Sequence, residues 1–234
     1  MTRCLVLDVE TRIDRMALAA SGRTRAPRDM PPPLQAVTAV AILRFDLDAD
    51  GSFSAFGLNA EAGCERDVVA LVRRALSDLG EGELVTYNGA HDLNVLRFAF
   101  LRCRVFANGG VTSRLGGNAG RHRDLMPEIA RDGRWPRLAD VAAGLGFAPT
   151  SRLQVGPLPD LSGRAKAEVD VALTLLLLMH LEAERRGDPA VLNRGALAFG
   201  RYLAGLAMRN PHLSAILDSH LFSAASLERM SFGE

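Results

Sequence analysis

Two acids separated by one residue stand in Leu5-Val6-Leu7-Asp8-Val9-Glu10-Thr11. In an extended strand that spacing puts both side chains on one face. Carboxylates taken from water side by side repel each other and resist ionisation, so a cation is their natural partner. Hard oxygen donors favour Mg²⁺ or Mn²⁺. A lone Asp-x-Glu is more often an ordinary solvated strand end than a metal site, but two later segments add to it. Tyr87-Asn88-Gly89-Ala90-His91-Asp92 follows a later β-prone run, and Glu168-Val169-Asp170 lies in the longest helical candidate.

That order of motifs resembles the DEDD exonucleases, the DnaQ-like superfamily of proofreading 3′-to-5′ exonucleases with a ribonuclease H-like fold. In that family the first motif is Asp-x-Glu. The second runs Asn, two or three residues, an aromatic, then Asp, and the third contains an Asp on a late helix. Asp8, Glu10, Asp92 and Asp170 fall on the four acidic positions. The segments VTYNGAHDLNVLR and KAEVDVALT look most like predicted exonucleases related to the exonuclease domain of family B DNA polymerases. The resemblance runs from Cys4 to Glu184.

The resemblance implies two Mg²⁺ or Mn²⁺ ions about 3.5 to 4 Å apart, one favouring attack by water and the other stabilising the leaving oxygen. It implies hydrolysis of phosphodiester bonds at the 3′ end of single-stranded DNA or RNA. By the same resemblance Asp8 bridges both ions, Glu10 and Asp170 complete the site that activates water, and Asp92 acts through the second ion's water shell. Thr11 and Asn88 resemble substrate-binding positions; each is equally well read as a local feature, Thr11 ending a strand and Asn88 shaping a turn.

The chain departs from the family in two places. Family members carry a Tyr four residues, or a His five residues, before the last Asp, to handle the attacking water. Here those positions hold Lys166 and Ala165. Lys166 serves as a base only if burial lowers its pKa; otherwise it is a solvated cation. His91 stands where the family has Phe or Tyr, and fits a packing role better than that of a proton carrier or metal ligand. His122, in Arg121-His122-Arg123-Asp124-Leu125-Met126, lies in a segment that resembles one beginning a strand or helix near the family's site, yet it fits a core or loop role better than catalysis.

The elements that must hold these residues follow from periodicity. Cys4–Leu7 and Val37–Phe45 are β-prone, and the Asp46–Gly51 turn leads into Ser52–Leu58 as a hairpin. That turn imitates a calcium loop, but its twelfth position is Gly57, and strands rather than helices flank it. Arg66–Leu79, Leu93–Val105, Leu138–Leu145, Arg164–Arg186 and Ala190–Met208 carry helical spacing, with a short helix over Pro211–Leu217. Leu84–Tyr87 is a further strand. Ser21–Pro33, the glycine-rich Ala107–Gly120 and Thr150–Gly163 read as loops, and the end from Ser223 as a fraying tail. The expectation is an α/β chain: a ribonuclease H-like mixed sheet flanked by helices over residues 1–187, with a helical extension, 188–234, packed on the same core.

Composition narrows the function classes. Of 234 residues 48% are hydrophobic and 24% charged, enough for a sizeable core under a solvated surface. The net charge of +1 lacks the basic excess of a stable, non-specific duplex binder. Cys4, Cys64 and Cys103 are dispersed and odd in number, giving neither a disulfide framework nor a zinc ribbon. No apolar run approaches the roughly 18 residues of a membrane span, and no signal sequence is evident; a cytoplasmic protein without a membrane partner is expected. Two other readings compete with the exonuclease. One is a catalytically weakened nucleic-acid-binding protein of the same fold, motivated by Lys166. The other is an interaction module in which Ala190–Leu217 pairs with another copy.

Overall fold

A computed structural model describes the chain except for residues 24–29, 107–108, 117–120, 131–134, 148–158 and 233–234. Three long strands open it: β1 (Thr2–Ile13), β2 (Gln35–Leu47) and β3 (Phe53–Ala62). A helix, α1 (Arg15–Ala20), leaves the end of β1, capped by the Asp14 carboxylate on the Met16 and Ala17 amides. After α2 (Glu65–Leu79) come β4 (Glu83–Thr86), α3 (Gly89–Arg102), α4 (Gly109–Leu115), β5 (Arg121–Asp124), α5 (Leu125–Ile129) and α6 (Leu138–Gly144). The long α7 (Pro159–Arg186), then α8 (Pro189–Ala207), α9 (Ser214–Leu217) and α10 (His220–Phe232) complete it.

Among the described residues the strands form one mixed five-stranded sheet, ordered β3-β2-β1-β4-β5. β2 pairs antiparallel with β1 and β3, whereas β4 runs parallel to both β1 and β5. The chain is therefore α/β, and alternation along β1 and β2 assigns their side chains to two apolar layers. Leu5, Leu7, Val9, Val40 and Ile42 pack with Val69, Val72 and Leu76 of α2 and with Leu96 and Phe100 of α3. Cys4, Val6, Ala41, Leu43 and Phe45 pack on the other face against Val171, Leu175 and Leu178 of α7. A fully buried leucine in such a layer contributes about 2 kcal/mol through its removal from water.

The period of two puts Asp8 and Glu10 on the same face as Cys4 and Val6, which is the face that α7 covers. That geometry brings residues 8, 10 and 170 within reach of one another. The segment beyond 188 joins the same layer. Phe199, Leu203, Leu213, Ile216 and Phe222 are buried in it, and Leu192, Leu197 and Leu206 pack against it. His212 Nε2 reaches Glu168 Oε2 of α7 at 2.5 Å, and the Tyr202 hydroxyl accepts the Leu58 amide at 2.5 Å. Leu192, Leu197, Leu203 and Leu206, which fit either a surface for another copy or the intramolecular core, pack in that core.

Four expectations need correction. β1 does not stop at Asp8 but runs to Ile13, because β2 offers partners as far back as Gln35. The glycine-rich stretch contains α4, whose Val111 and Leu115 are buried against α2 and α3, and whose Arg114 donates to the Gly80 and Gly82 carbonyls at 2.5 and 3.0 Å. In the loop expected over Thr150–Gly163, residues 150–158 lie outside the described set, and from Pro159 the chain is already helical, a proline being tolerated in a first turn. The tail expected to fray from Ser223 is helical as far as Phe232, within α10, which buries Leu221, Phe222 and Ala225; residues 233–234 lie outside the described set. No helix among the described residues is long and apolar enough to cross a membrane.

Candidate metal centre

One oxygen each from Asp8, Glu10 and Asp170 lie within 4.8 Å of one another. Asp8 Oδ2 is sealed from solvent and has no hydrogen-bond partner among the described residues. An unsatisfied buried carboxylate oxygen is costly, and here two further acids stand beside it. Burial pushes the Asp8 carboxyl well above its usual range, and the charges of Asp92, Asp170 and Glu10 push the same way, against a smaller opposing pull from Lys166. Glu10 is also raised, by burial first, although its contact with Lys166 partly offsets the effect.

Asp92 sits in the first turn of α3, 6% exposed. It lines the same cleft as Asp8 and Asp170 without joining their group of three. Burial raises its pKa, with Asp124 and Glu10 adding to the shift. The cleft, about 720 Å³, lies at the carboxyl ends of β4 and β5 and is walled by Tyr87, Asn88, Asp124, Met126, Trp135 and Arg137 among others. Ligands in open α/β sheets gather at that end of the strands.

Asp124 and Trp135 are the cleft residues that the sequence reading overlooked. Asp124 holds the start of α3: its oxygens accept the Asn88 and Gly89 amides at 2.9 and 2.8 Å, and the Met126 amide at 3.2 Å. The signal was an Asp closing a short β-prone run directly before Leu-Met-Pro, a strand-end helix cap. Asn88 adopts a left-handed conformation, φ 65°, which Asn tolerates better than most residues. A side chain at Gly89 would collide with the Thr86 hydroxyl and come within 2.8 Å of His122 Nε2, so close packing of α3 on β4 requires glycine there. His122 shares a 2.9 Å hydrogen bond with Thr86, and burial holds its pKa down, consistent with a packing role.

Of the remaining candidates Thr11 and His91 lie outside the cleft, whereas Lys166 touches two of the three clustered acids. The Thr11 hydroxyl donates to Gln35 Oε1 at 2.7 Å, across an irregularity in the β1–β2 pairing, and Thr11 does not line the cleft. His91, half-buried on α3, does not line it either, and burial lowers its pKa. Lys166, one turn before Asp170, places its ammonium against Glu10 Oε1 and 2.9 Å from Asp170 Oδ2. Burial opposes that charge, but Asp170 and Glu10 outweigh it and hold the amine above its ordinary pKa. An ammonium so held has no lone pair for a proton, so its contacts are those of a counter-ion rather than of a base.

A divalent ion between Glu10 and Asp170 must compete with that ammonium. Lys166→Met is therefore expected to strengthen Mn²⁺ binding about two- to tenfold in calorimetric titration, since partly exposed ion pairs are worth up to roughly 1 kcal/mol each. An affinity unchanged by the substitution means that the amine does not compete. No protein-family model matches the chain, and no curated protein matches it.

Proposed function

We propose that the chain is a divalent-metal-dependent 3′-to-5′ exonuclease of ribonuclease H-like fold, hydrolysing phosphodiester bonds at the 3′ end of single-stranded DNA or RNA. The observation that carries this reading is the meeting of Asp8, Glu10 and Asp170, distant in the chain, around the buried, unpartnered Asp8 Oδ2. The mixed five-stranded sheet with helices on both faces is compatible with the proposed fold. The donor set also fits the ions: hard carboxylate oxygens, one of them unsatisfied, suit Mg²⁺ or Mn²⁺.

When bound, such ions neutralise charge on phosphoryl oxygens and make water a better nucleophile at neutral pH. The protein's own residues do the positioning. Asp8 and Glu10 are fixed on a central strand, and Asp170 is fixed by a helix packed across it. Asp124 anchors the α3 terminus and so holds Asp92 over the cleft. A strand and two helix surfaces are a rigid support for a site that requires accurate placement.

A 5′-labelled single-stranded oligonucleotide incubated with Mn²⁺ tests the proposal. A ladder shortening from the 3′ end is the expected result; an intact strand under all metal conditions refutes hydrolysis. The second reading, a weakened nuclease that binds nucleic acid, is favoured by the ammonium between Glu10 and Asp170. It predicts an intact strand that nonetheless migrates as a complex.

A further inference from the structure

Trp135, the chain's single tryptophan, is 59% exposed and lines the cleft that Asp8, Asp92 and Asp170 also line. An indole at that exposure presents a flat apolar face to whatever enters the cleft. Its position is held on the following side. The Tyr87 hydroxyl donates to the Pro136 carbonyl at 2.6 Å, and the Arg137 carbonyl accepts the Asp140 and Val141 amides that begin α6. Arg137, itself exposed, contributes a cation to the wall of an otherwise acidic cleft. The cleft thus presents a group of carboxylates able to hold cations together with a flat apolar ring and a guanidinium.

We infer that Trp135 is the stacking platform for the nucleobase of the nucleotide whose phosphate is held at the carboxylates, with Arg137 offsetting the charge of the phosphate backbone. The inference rests on the nuclease reading and deepens it: the substrate is an unpaired terminal nucleotide, and a sugar phosphate without a base is held poorly. Every base offers a π face, so stacking supplies affinity with little sequence preference. A base inside a duplex has both faces covered by its neighbours, so stacking on Trp135 favours an end that is already unstacked and unpaired. An intercalated or stacked base is also consistent with the size of the cleft, which falls in the usual range for small-molecule sites.

The single tryptophan makes the test direct. The full-length protein with Mg²⁺ is titrated with deoxyadenosine 5′-monophosphate and, separately, with 2-deoxyribose 5-phosphate, while tryptophan emission is followed. Saturable quenching by the nucleotide and none by the sugar phosphate is expected. Calorimetry on Trp135→Ala should then show nucleotide affinity lowered about 10- to 100-fold, with Trp135→Phe near wild type and Mn²⁺ binding unchanged in both. Nucleotide binding without quenching, or with equal affinity in Trp135→Ala, overturns the inference, as does no binding of the nucleotide at all. Failure of the nuclease reading looks different: Mn²⁺ does not bind, yet the nucleotide still quenches Trp135.

Discussion

Asp8→Asn is expected to abolish Mn²⁺ binding and 3′ hydrolysis while making the metal-free protein more stable. The two effects share one cause. Asp8 lies where burial and three neighbouring acids oppose its negative charge, so the free chain gains when that charge is removed. Asparagine keeps the shape and adds an amide that can donate to the facing carboxylates. Exchanging a poorly compensated buried charge for a neutral group of like volume is neutral to stabilising, here by about 1 to 3 kcal/mol. The same substitution removes the oxygen that has no other partner, and with it the donor central to a cation site. Loss of several kcal/mol of transition-state stabilisation corresponds to about a thousandfold or more in rate. Thermal unfolding in EDTA, calorimetric Mn²⁺ titration and the oligonucleotide assay read the three quantities. A variant that unfolds at lower temperature than wild type, or that still binds Mn²⁺ normally, contradicts this account of the site.

Much of this arrangement is readable from the sequence because it depends on local periodicity. The alternation in Leu5-Val6-Leu7-Asp8-Val9-Glu10 fixes a shared face for the two acids, and the apolar run around Asp170 predicts a buried helix that must cross a sheet. What escaped depends on partners distant in the chain. The last three residues of β1, Thr11-Arg12-Ile13, are too short a run to announce a strand and are extended because Gln35–Val37 lies alongside. α4 is a helix in a glycine-rich segment because the Gly80 and Gly82 carbonyls receive Arg114. Asp124 joins the cleft only through the parallel pairing of Thr86 with Asp124, which no spacing in the sequence announces. Trp135 carries no motif, and its place beside the carboxylates is a fact of three dimensions. Lys166 was visible as a substitution, but its state was not: its contacts with Glu10 and Asp170, not its burial, decide its charge.

The pH dependence of stability should invert when metal is added. Asp8, Glu10 and Asp92 all have carboxyl pKa values raised in the fold, by burial first in each case. A raised acid contributes stability that is complete below its unfolded pKa, near 4, and is lost as pH climbs through the folded value. In EDTA these groups therefore favour unfolding progressively from about pH 4 towards neutrality, by up to about 1.4 kcal/mol per pH unit per proton. Other groups act in neighbouring windows. Glu168 and Glu182 have lowered values, despite burial, through His212, Arg164, Arg185 and Arg123, so their effect is confined to more acidic pH. His91, His122 and His180 are lowered by burial and add stability as pH rises to about 6.5. The difference between wild type and Asp8→Asn cancels the histidines, so the advantage of the variant in EDTA should be small near pH 4 and grow as pH rises. With saturating Mn²⁺ the order reverses: the ion holds the carboxylates ionised, binding displaces their protons, and affinity increases with pH. Calorimetric unfolding of both proteins from pH 4 to 7.5, with EDTA and with Mn²⁺, measures the crossing. Parallel curves in the two conditions would mean that these carboxylates do not hold the metal, because a cation bound elsewhere has no reason to change their titration.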